Sequence, residues 1–201
     1  MSDKKEVKRL VFASNNAHKF AEIRAILGAD YEIKSLLEIG CTEDLPETQD
    51  TIAGNALQKA RRVRELYGCD CFADDTGLMV DALGGAPGVY TARYAGEQCS
   101  PDDNIALLLL NMATEDNRKA HFSTVIALID DDGEHTFEGR VDGEIAYRRH
   151  GNGGFGYDPI FIPTETGVSF AEMSADAKNA ISHRGRAVRK LADYLSCGKK
   201  K

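Results

Sequence analysis

Hydrophobic and polar positions along the first half of the chain alternate between strand-length apolar runs and helical spacing. Residues 10–13 (Leu-Val-Phe-Ala) read as a buried strand that gives way at Ser14-Asn15-Asn16 to a helix with Phe20, Ile23 and Leu27 on its apolar face. Residues 31–36 suit a second strand. From Thr51 the set Ile52, Ala56, Ala60, Val63 and Tyr67 follows helical spacing, and Gly68 is a natural stop. Cys71-Phe72-Ala73 is a short buried run that ends at Asp74-Asp75.

The second half is punctuated differently. Gly84-Gly85-Ala86-Pro87-Gly88 is too irregular for an element interior. Pro101-Asp102-Asp103-Asn104 caps a helix carrying Ile105, Leu108, Leu109 and Met112. Residues 120–129 and 136–145 flank Asp130-Asp131-Asp132-Gly133, which predicts a hairpin with a bulged or longer turn. Asn152-Gly153-Gly154 opens a loop, residues 159–162 are strand-like, and a last helix after Ser182 carries Val188, Leu191, Ala192 and Leu195. Alternation early and a hairpin late predict an α/β fold with a mixed sheet. No internal repeat or linker divides the chain, so 1–201 is expected to be one domain.

Charge and cysteine content narrow the function classes. The formal net charge is −7, a poor match to sequence-independent nucleic-acid binding, which runs on clustered Lys and Arg. A small anionic substrate remains open, because a few placed cations make a local positive pocket. The five cysteines are odd in number and lack zinc-ligand spacing, so free thiols in a reducing cytoplasm are expected. Residues 1–6 are polar and no stretch has the length of a membrane span or signal peptide, which again points to the cytoplasm. Lys199-Lys200-Lys201 reads as a frayed tail.

Five clusters carry candidate chemistry. Ser14-Asn15-Asn16-Ala17-His18-Lys19 joins a strand to a helix, where exposed N–H groups form an anion site and Lys19 adds a charge; a plain helix cap fits the same residues. Asp74-Asp75-Thr76-Gly77 places two carboxylates side by side, suited to a hard divalent cation or to orienting a water, and equally to a turn cap. Glu47 is a possible third acid. Phe155, set among Gly151, Gly153, Gly154 and Gly156, can stack on a planar base or plug its own turn. Lys178, His183 and Arg184 bring cations to a helix start, against the macrodipole preference. Lys59 lies one turn after Asn55 and, alone, suits solvated surface.

At these residues the chain closely resembles the inosine triphosphate pyrophosphatase, or Ham1-like, family. The matching segments are residues 14–19, Glu47-Thr48, Asn55-Ala56 with Lys59-Ala60, 73–78, 81–90 with 92–94, 153–161, Lys178-Asn179 and Ser182-His183-Arg184. They run in family order over about three quarters of the chain. The resemblance implies a long mixed sheet with flanking helices, two lobes around a central cleft, and a homodimer. It implies magnesium-dependent hydrolysis of dITP, ITP and XTP to the monophosphate and pyrophosphate, which removes deaminated purines from the nucleotide pool. It assigns Asp75 as general base and metal ligand, with Asp74 and Glu47 supporting the metal. It assigns Lys19 and Lys59, with Ser14, Asn15, Asn16, Ala17 and His18, to the triphosphate, and Thr76 to substrate contact. Phe155, Gly156, Tyr157 and Asp158 would line the base and sugar site, and Lys178, His183 and Arg184 would read the purine edge. Neither a nucleic acid nor a membrane is implied as a partner.

Three positions depart from the family pattern. Gly54 stands where many members have Glu, Thr76 where Ser is usual, and Ser14-Asn15 where Thr-Gly is common. None removes a group that the chemistry needs. A Maf-type pyrophosphatase acting on pyrimidine nucleotides and a silent nucleotide-binding module are the rival readings. Discrimination against GTP needs an obstacle to its 2-amino group, for which the sequence singles out no residue.

Overall fold

The computed structural model describes residues 8–98 and 100–197. The expectations for residues 1–6, Cys99 and the terminal lysines lie outside the described residues. Seven strands form one mixed sheet, in the order β2-β1-β3-β5-β6-β7, with β4 pairing β3 off this path. Strand β1 (Lys8–Phe12) pairs in parallel with β2 (Tyr31–Ser35) and with β3 (Cys71–Val80). Antiparallel pairing joins β3 to β4 (Pro87–Gly88), and β6 (Gly133–Ile145) to β7 (Phe161–Pro163). β5 (Lys119–Asp130) leads into β6 through Asp131-Asp132 alone. That turn is shorter than the bulged or longer one expected. Asp130 closes it by accepting the Asp132 N–H at 3.1 Å, as an Asx turn does.

The helices start and stop where local chemistry dictates. Asn16 caps α1 (Ala17–Leu27) by accepting the Lys19 N–H at 3.1 Å. Thr51 caps α2 (Ile52–Tyr67) by accepting from Gly54, and Gly68 ends it in the left-handed conformation, φ 61°. Ser100, one residue earlier than expected, caps α3 (Pro101–Asn111), with Pro101 at its first position. A short helix not foreseen from the pattern, α4 (Ala175–Ile181), precedes α5 (His183–Cys197). No helix among the described residues is long and apolar enough to cross a membrane. The described cysteines, Cys41, Cys69, Cys71 and Cys197, are free thiols.

The chain divides into two compact units. The first is built from the described residues of Met1–Asp75, Val125–Phe137 and Val188–Lys201; the second is Thr76–Thr124 with Glu138–Ala187. In the first, Val11, Ala13, Ala56, Ala60, Val63, Cys71, Ala73 and Ala127 form a core of small and branched side chains. In the second, the core is richer in aromatics: Phe122, Tyr157, Phe161 and Phe170 pack with Leu78, Ile105, Leu108 and Val141. The backbone crosses from one unit to the other at the Asp75–Thr76 peptide bond, in the middle of β3.

Candidate active site

Asp74 and Asp75 do not follow the third strand; they are inside it. β3 continues unbroken to Val80, five residues past the carboxylates. The short apolar run understated the strand because buried acids interrupt the hydrophobic signal. Asp74 is 0% exposed and Asp75 7%, so both need partners within the protein. Alternation along the strand separates them: Asp74 and Asp75 leave on opposite sides.

The partners come from α1 and α2. Lys19 Nζ, one turn into α1, reaches Asp74 Oδ1 at 3.0 Å. Lys59 Nζ donates to the Asp74 carbonyl oxygen at 2.8 Å and to Glu47 Oε1, and stands 3.8 Å from Asp75 Oδ1. Asn55 Nδ2 donates to Asp75 Oδ2 at 3.1 Å, while its own Oδ1 accepts from the Gln49 N–H at 2.9 Å. Lys59 is therefore no surface lysine: it is 6% exposed, and Asn55 and Lys59 share the buried face of α2 with Ala56, Ala60 and Val63. The cap of that helix is crowded. A Cβ at Gly54 would lie 2.8 Å from Gln49 Cβ and 3.0 Å from Thr51 Oγ1.

This cluster divides the two aspartates electrostatically. Burial, the largest influence on Asp75, raises its pKa; Lys59 opposes that, Glu47 adds to it, and Lys19 and Asn55 oppose it, leaving the carboxyl above its ordinary value. Burial pulls Lys59 the other way, yet Asp75, Glu47 and Asp74 outweigh it and hold the ammonium above its ordinary value. Lys59 is thus a permanent cation at neutral pH, and Asp75 beside it is a carboxyl whose proton affinity is raised. Ser14 accepts the Asn16 N–H at 3.2 Å and shapes the turn before α1, and Asn15, Asn16, Ala17 and His18 are exposed there.

Among the described residues no group of three or more His, Cys, Asp or Glu side chains is gathered as a ready cage for a metal ion. The carboxylates still suit magnesium, which is held by one or two acids together with substrate phosphates and waters. Asp75 and Glu47 fit that pattern: hard oxygens, with Asp75 short of charge compensation. Asp74 Oδ1 is committed to Lys19.

A second cluster lies within the second unit. Asp158 Oδ2 accepts from the Phe155 N–H and from Lys178 Nζ, both at 2.7 Å. Lys178 Nζ sits 4.6 Å from the centre of the Phe155 ring, and Arg184 Cζ 5.6 Å from it. The glycines permit this. Gly154 has φ 71°, and a Cβ there would lie 2.0 Å from Asp158 Oδ2. Tyr157 belongs to the core instead: 4% exposed, it donates its hydroxyl to the Thr91 carbonyl at 3.0 Å.

The cations expected at one helix start are divided between two helices. Lys178 lies within α4, and His183 and Arg184 open α5. All three are buried, and Arg184, at 2% exposure, is among the largest enclosed side chains of the molecule. Its Nη2 donates to Thr76 Oγ1 at 3.2 Å. Thr76 Oγ1 is 2.7 Å from Thr124 Oγ1, and Thr124 Oγ1 is 2.6 Å from His183 Nδ1. His183 also stacks on Phe122, with centroids 4.6 Å apart and planes inclined by 21°. Gly139 in β6 makes room for this start of α5, since a Cβ there would lie 2.0 Å from the His183 carbonyl oxygen.

The sequence places Asn55 in the matching motif without assigning it a role, and it does not single out Thr124. A buried polar residue in a helix stripe was the available signal for the first; the second, next to Ser123 in β5, carries no local signal. A separate cavity of about 650 Å³, lined by residues that include Lys119, Tyr147, Arg148 and His150, draws on neither cluster.

Comparison with known proteins agrees with the fold and with the family resemblance. The Ham1 family model matches residues 10–194. A dITP/XTP pyrophosphatase of Porphyromonas gingivalis is 56% identical, covering 96% of this chain and 100% of its own. Another, from Flavobacterium johnsoniae, is 52% identical over 95% of this chain and 100% of its own. In three dimensions the Staphylococcus aureus Ham1 protein superposes with a TM-score of 0.87 at 39% identity, covering 96% of this chain and 100% of that one.

Proposed function

The chain belongs to the Ham1 family, and from that premise we propose that it hydrolyses non-canonical purine nucleoside triphosphates (dITP, ITP and XTP) to the monophosphate and pyrophosphate. The observation that carries the proposal is the cluster of Asp74, Asp75 and Lys59, all buried, with the partly exposed Glu47 and Lys19, in which Asp75 is left with a raised proton affinity beside a permanent cation. In this reading the whole chain, 1–201, acts as one catalytic domain.

Asp75 positions the attacking water and takes its proton as the oxygen closes on the α-phosphorus. Its raised proton affinity suits it to that step, and Asn55 fixes its orientation. Lys19 and Lys59 stabilise the charge that builds on the departing pyrophosphate, and the Ser14–Asn16 turn and the N–H groups at the start of α1 assist in holding the phosphates. Asp74 serves mainly to hold Lys19. Asp75 and Glu47 are the residues that would hold magnesium, with Asp74 in support. When bound, the ion would neutralise phosphate charge and polarise the reacting phosphoryl group.

The second cluster reads the nucleoside. Phe155, with Gly156 beside it, offers a ring for stacking, and Asp158 fixes both that ring's backbone and Lys178. Lys178, His183 and Arg184 supply donors, which suit the 6-oxo acceptor of inosine and xanthosine. Adenine presents a 6-amino donor there and would leave buried donors unpaired, a mismatch of about 1–3 kcal/mol per group. Thr76 contacts the substrate through its hydroxyl. A homodimer, carried by the family resemblance, belongs to the same reading. So does a cytoplasmic location, which the free thiols of Cys41, Cys69, Cys71 and Cys197 support.

Pyrophosphate release from a panel of ITP, dITP, XTP, ATP, GTP, dUTP and dTTP, with magnesium and with a chelator, tests the proposal. Turnover of the first three that needs magnesium is the expected result. Preference for dUTP or dTTP, or binding without pyrophosphate release, would overturn it.

A further inference from the structure

Thr124 stands between two residues to which the proposed function gives a substrate contact, and the inference that follows rests on that reading. It lies in β5 and is 0% exposed. Its hydroxyl is within hydrogen-bond distance of Thr76 Oγ1 on one side and of His183 Nδ1 on the other. We propose that Thr124 is a positioning residue that sets the tautomer of His183, and through it the sense in which the site reads the 6-position of a purine.

The argument is a count of hydrogens. A guanidinium only donates, so Arg184 gives a hydrogen to Thr76 Oγ1 and never takes one. Each threonine hydroxyl has a single hydrogen. Two orders satisfy both remaining links and also give the hydrogen of the buried Thr124 hydroxyl an acceptor; a third, with Thr124 accepting from both neighbours, would leave that hydrogen buried and unpaired. In one, Thr76 donates to Thr124, and Thr124 donates to His183 Nδ1. In the other, His183 Nδ1–H donates to Thr124, and Thr124 donates to Thr76.

The cation decides between them. An oxygen already accepting from a guanidinium becomes a stronger donor through its own hydrogen and a weaker acceptor of a second one. The chain therefore runs from Arg184 through Thr76 and Thr124 into Nδ1, each link polarising the next. With Nδ1 accepting, the hydrogen of the neutral ring is on Nε2, and the stack on Phe122 holds the ring plane. A donor at Nε2 suits a 6-oxo purine. The reverse order would make Nε2 of the neutral ring an acceptor, which suits a 6-amino purine.

Two measurements test this. Long-range ¹H–¹⁵N correlation spectra of the wild-type protein, with the ring nitrogens labelled, should place the His183 hydrogen on Nε2. A hydrogen found on Nδ1 of the neutral ring overturns the proposal without recourse to any variant. In steady-state kinetics, Thr124→Val keeps the shape and removes the hydroxyl. It should lower the ratio of kcat/KM for ITP to that for ATP about tenfold, what one lost hydrogen bond to a reading group gives, and Thr124→Ser should restore most of it. An unchanged ITP:ATP ratio in folded Thr124→Val sinks the idea. A wild-type enzyme that turns over ATP as readily as ITP would overturn the activity reading instead, and the tautomer measurement would still decide the hydrogen-bond chain.

Discussion

Two buried lysines mark the difference between the halves of this molecule. Lys59 in the first unit is 6% exposed and meets Glu47, the Asp74 backbone and, at 3.8 Å, Asp75. Lys178 in the second unit is 5% exposed and meets Asp158 and the rings of Phe155 and Phe170. The first is set among an excess of acids, which leaves negative charge for a metal ion or a proton to compensate. The second is paired with Asp158 and laid against π faces. On the proposed function, this contrast separates chemistry from recognition: acids and lysines in one unit set charge, and rings, hydroxyls and directed donors in the other set choice.

If that division holds, variants of the two clusters will fail in different ways. The largest effect is expected at Asp75. Asp75→Asn should lower kcat for ITP about 10³-fold, within the range a general base contributes, while the metal-free protein becomes more stable. The sign follows from the raised pKa: the folded state binds that proton more tightly than the unfolded chain does. Stability is thus lost as pH rises from the unfolded value towards the folded one, and at neutral pH the ionised carboxylate is a cost. Removing it should raise the Tm of the metal-free protein. Magnesium should then stabilise the wild type and not the variant. Calorimetry with and without magnesium checks both; a variant that loses activity and stability together would break the comparison.

The lysine pair gives the next test. Lys59→Met should lower kcat for ITP about 100-fold and destabilise the fold by about 2 kcal/mol, less than a fully buried pair because Glu47 is partly exposed. Lys178→Met should act mainly on KM and on the ITP:ATP ratio. Denaturant melts and steady-state kinetics on both proteins read the contrast directly, and a matching kcat loss at Lys178 would erase it.

Phe155 carries the smallest effect. Phe155→Ala should raise KM for ITP about tenfold, the worth of one base stacked on an aromatic side chain, with kcat within about threefold of wild type. Phe155→Tyr should retain the wild-type KM. An alanine variant with unchanged KM would place the ring in its own turn rather than against a base.

Much of this arrangement was readable in the chain, and the misses have common causes. The βαβ start, a helix cap within Ser14-Asn15-Asn16 and the stop at Gly68 were legible because short-range chemistry decides them. The length of β3 was not, since Asp74 and Asp75 look like a loop until Lys19, Lys59 and Asn55 arrive from elsewhere in the sequence. Lys59 reads as surface for the same reason: only tertiary packing tells a buried lysine from a solvated one. Tyr157 shows the converse. Its glycine-rich surroundings suggest an exposed ring, yet its hydroxyl finds the Thr91 carbonyl and the side chain joins the core. Thr124 carried no local mark at all, because its meaning depends on two hydroxyl partners remote in sequence.

The crowding at Gly54 has a consequence for how this family can vary. A glutamate cannot be added there by itself, since its first carbon would collide with the stem of Gln49 before any carboxylate reached solvent or metal. In this fold glycine at 54 accommodates the side chain at 49, and an acid at 54 calls for a residue at 49 with almost none. Aligned relatives should therefore sort into two lineages by this pair, and an engineer wishing to install the acid must first clear its neighbour.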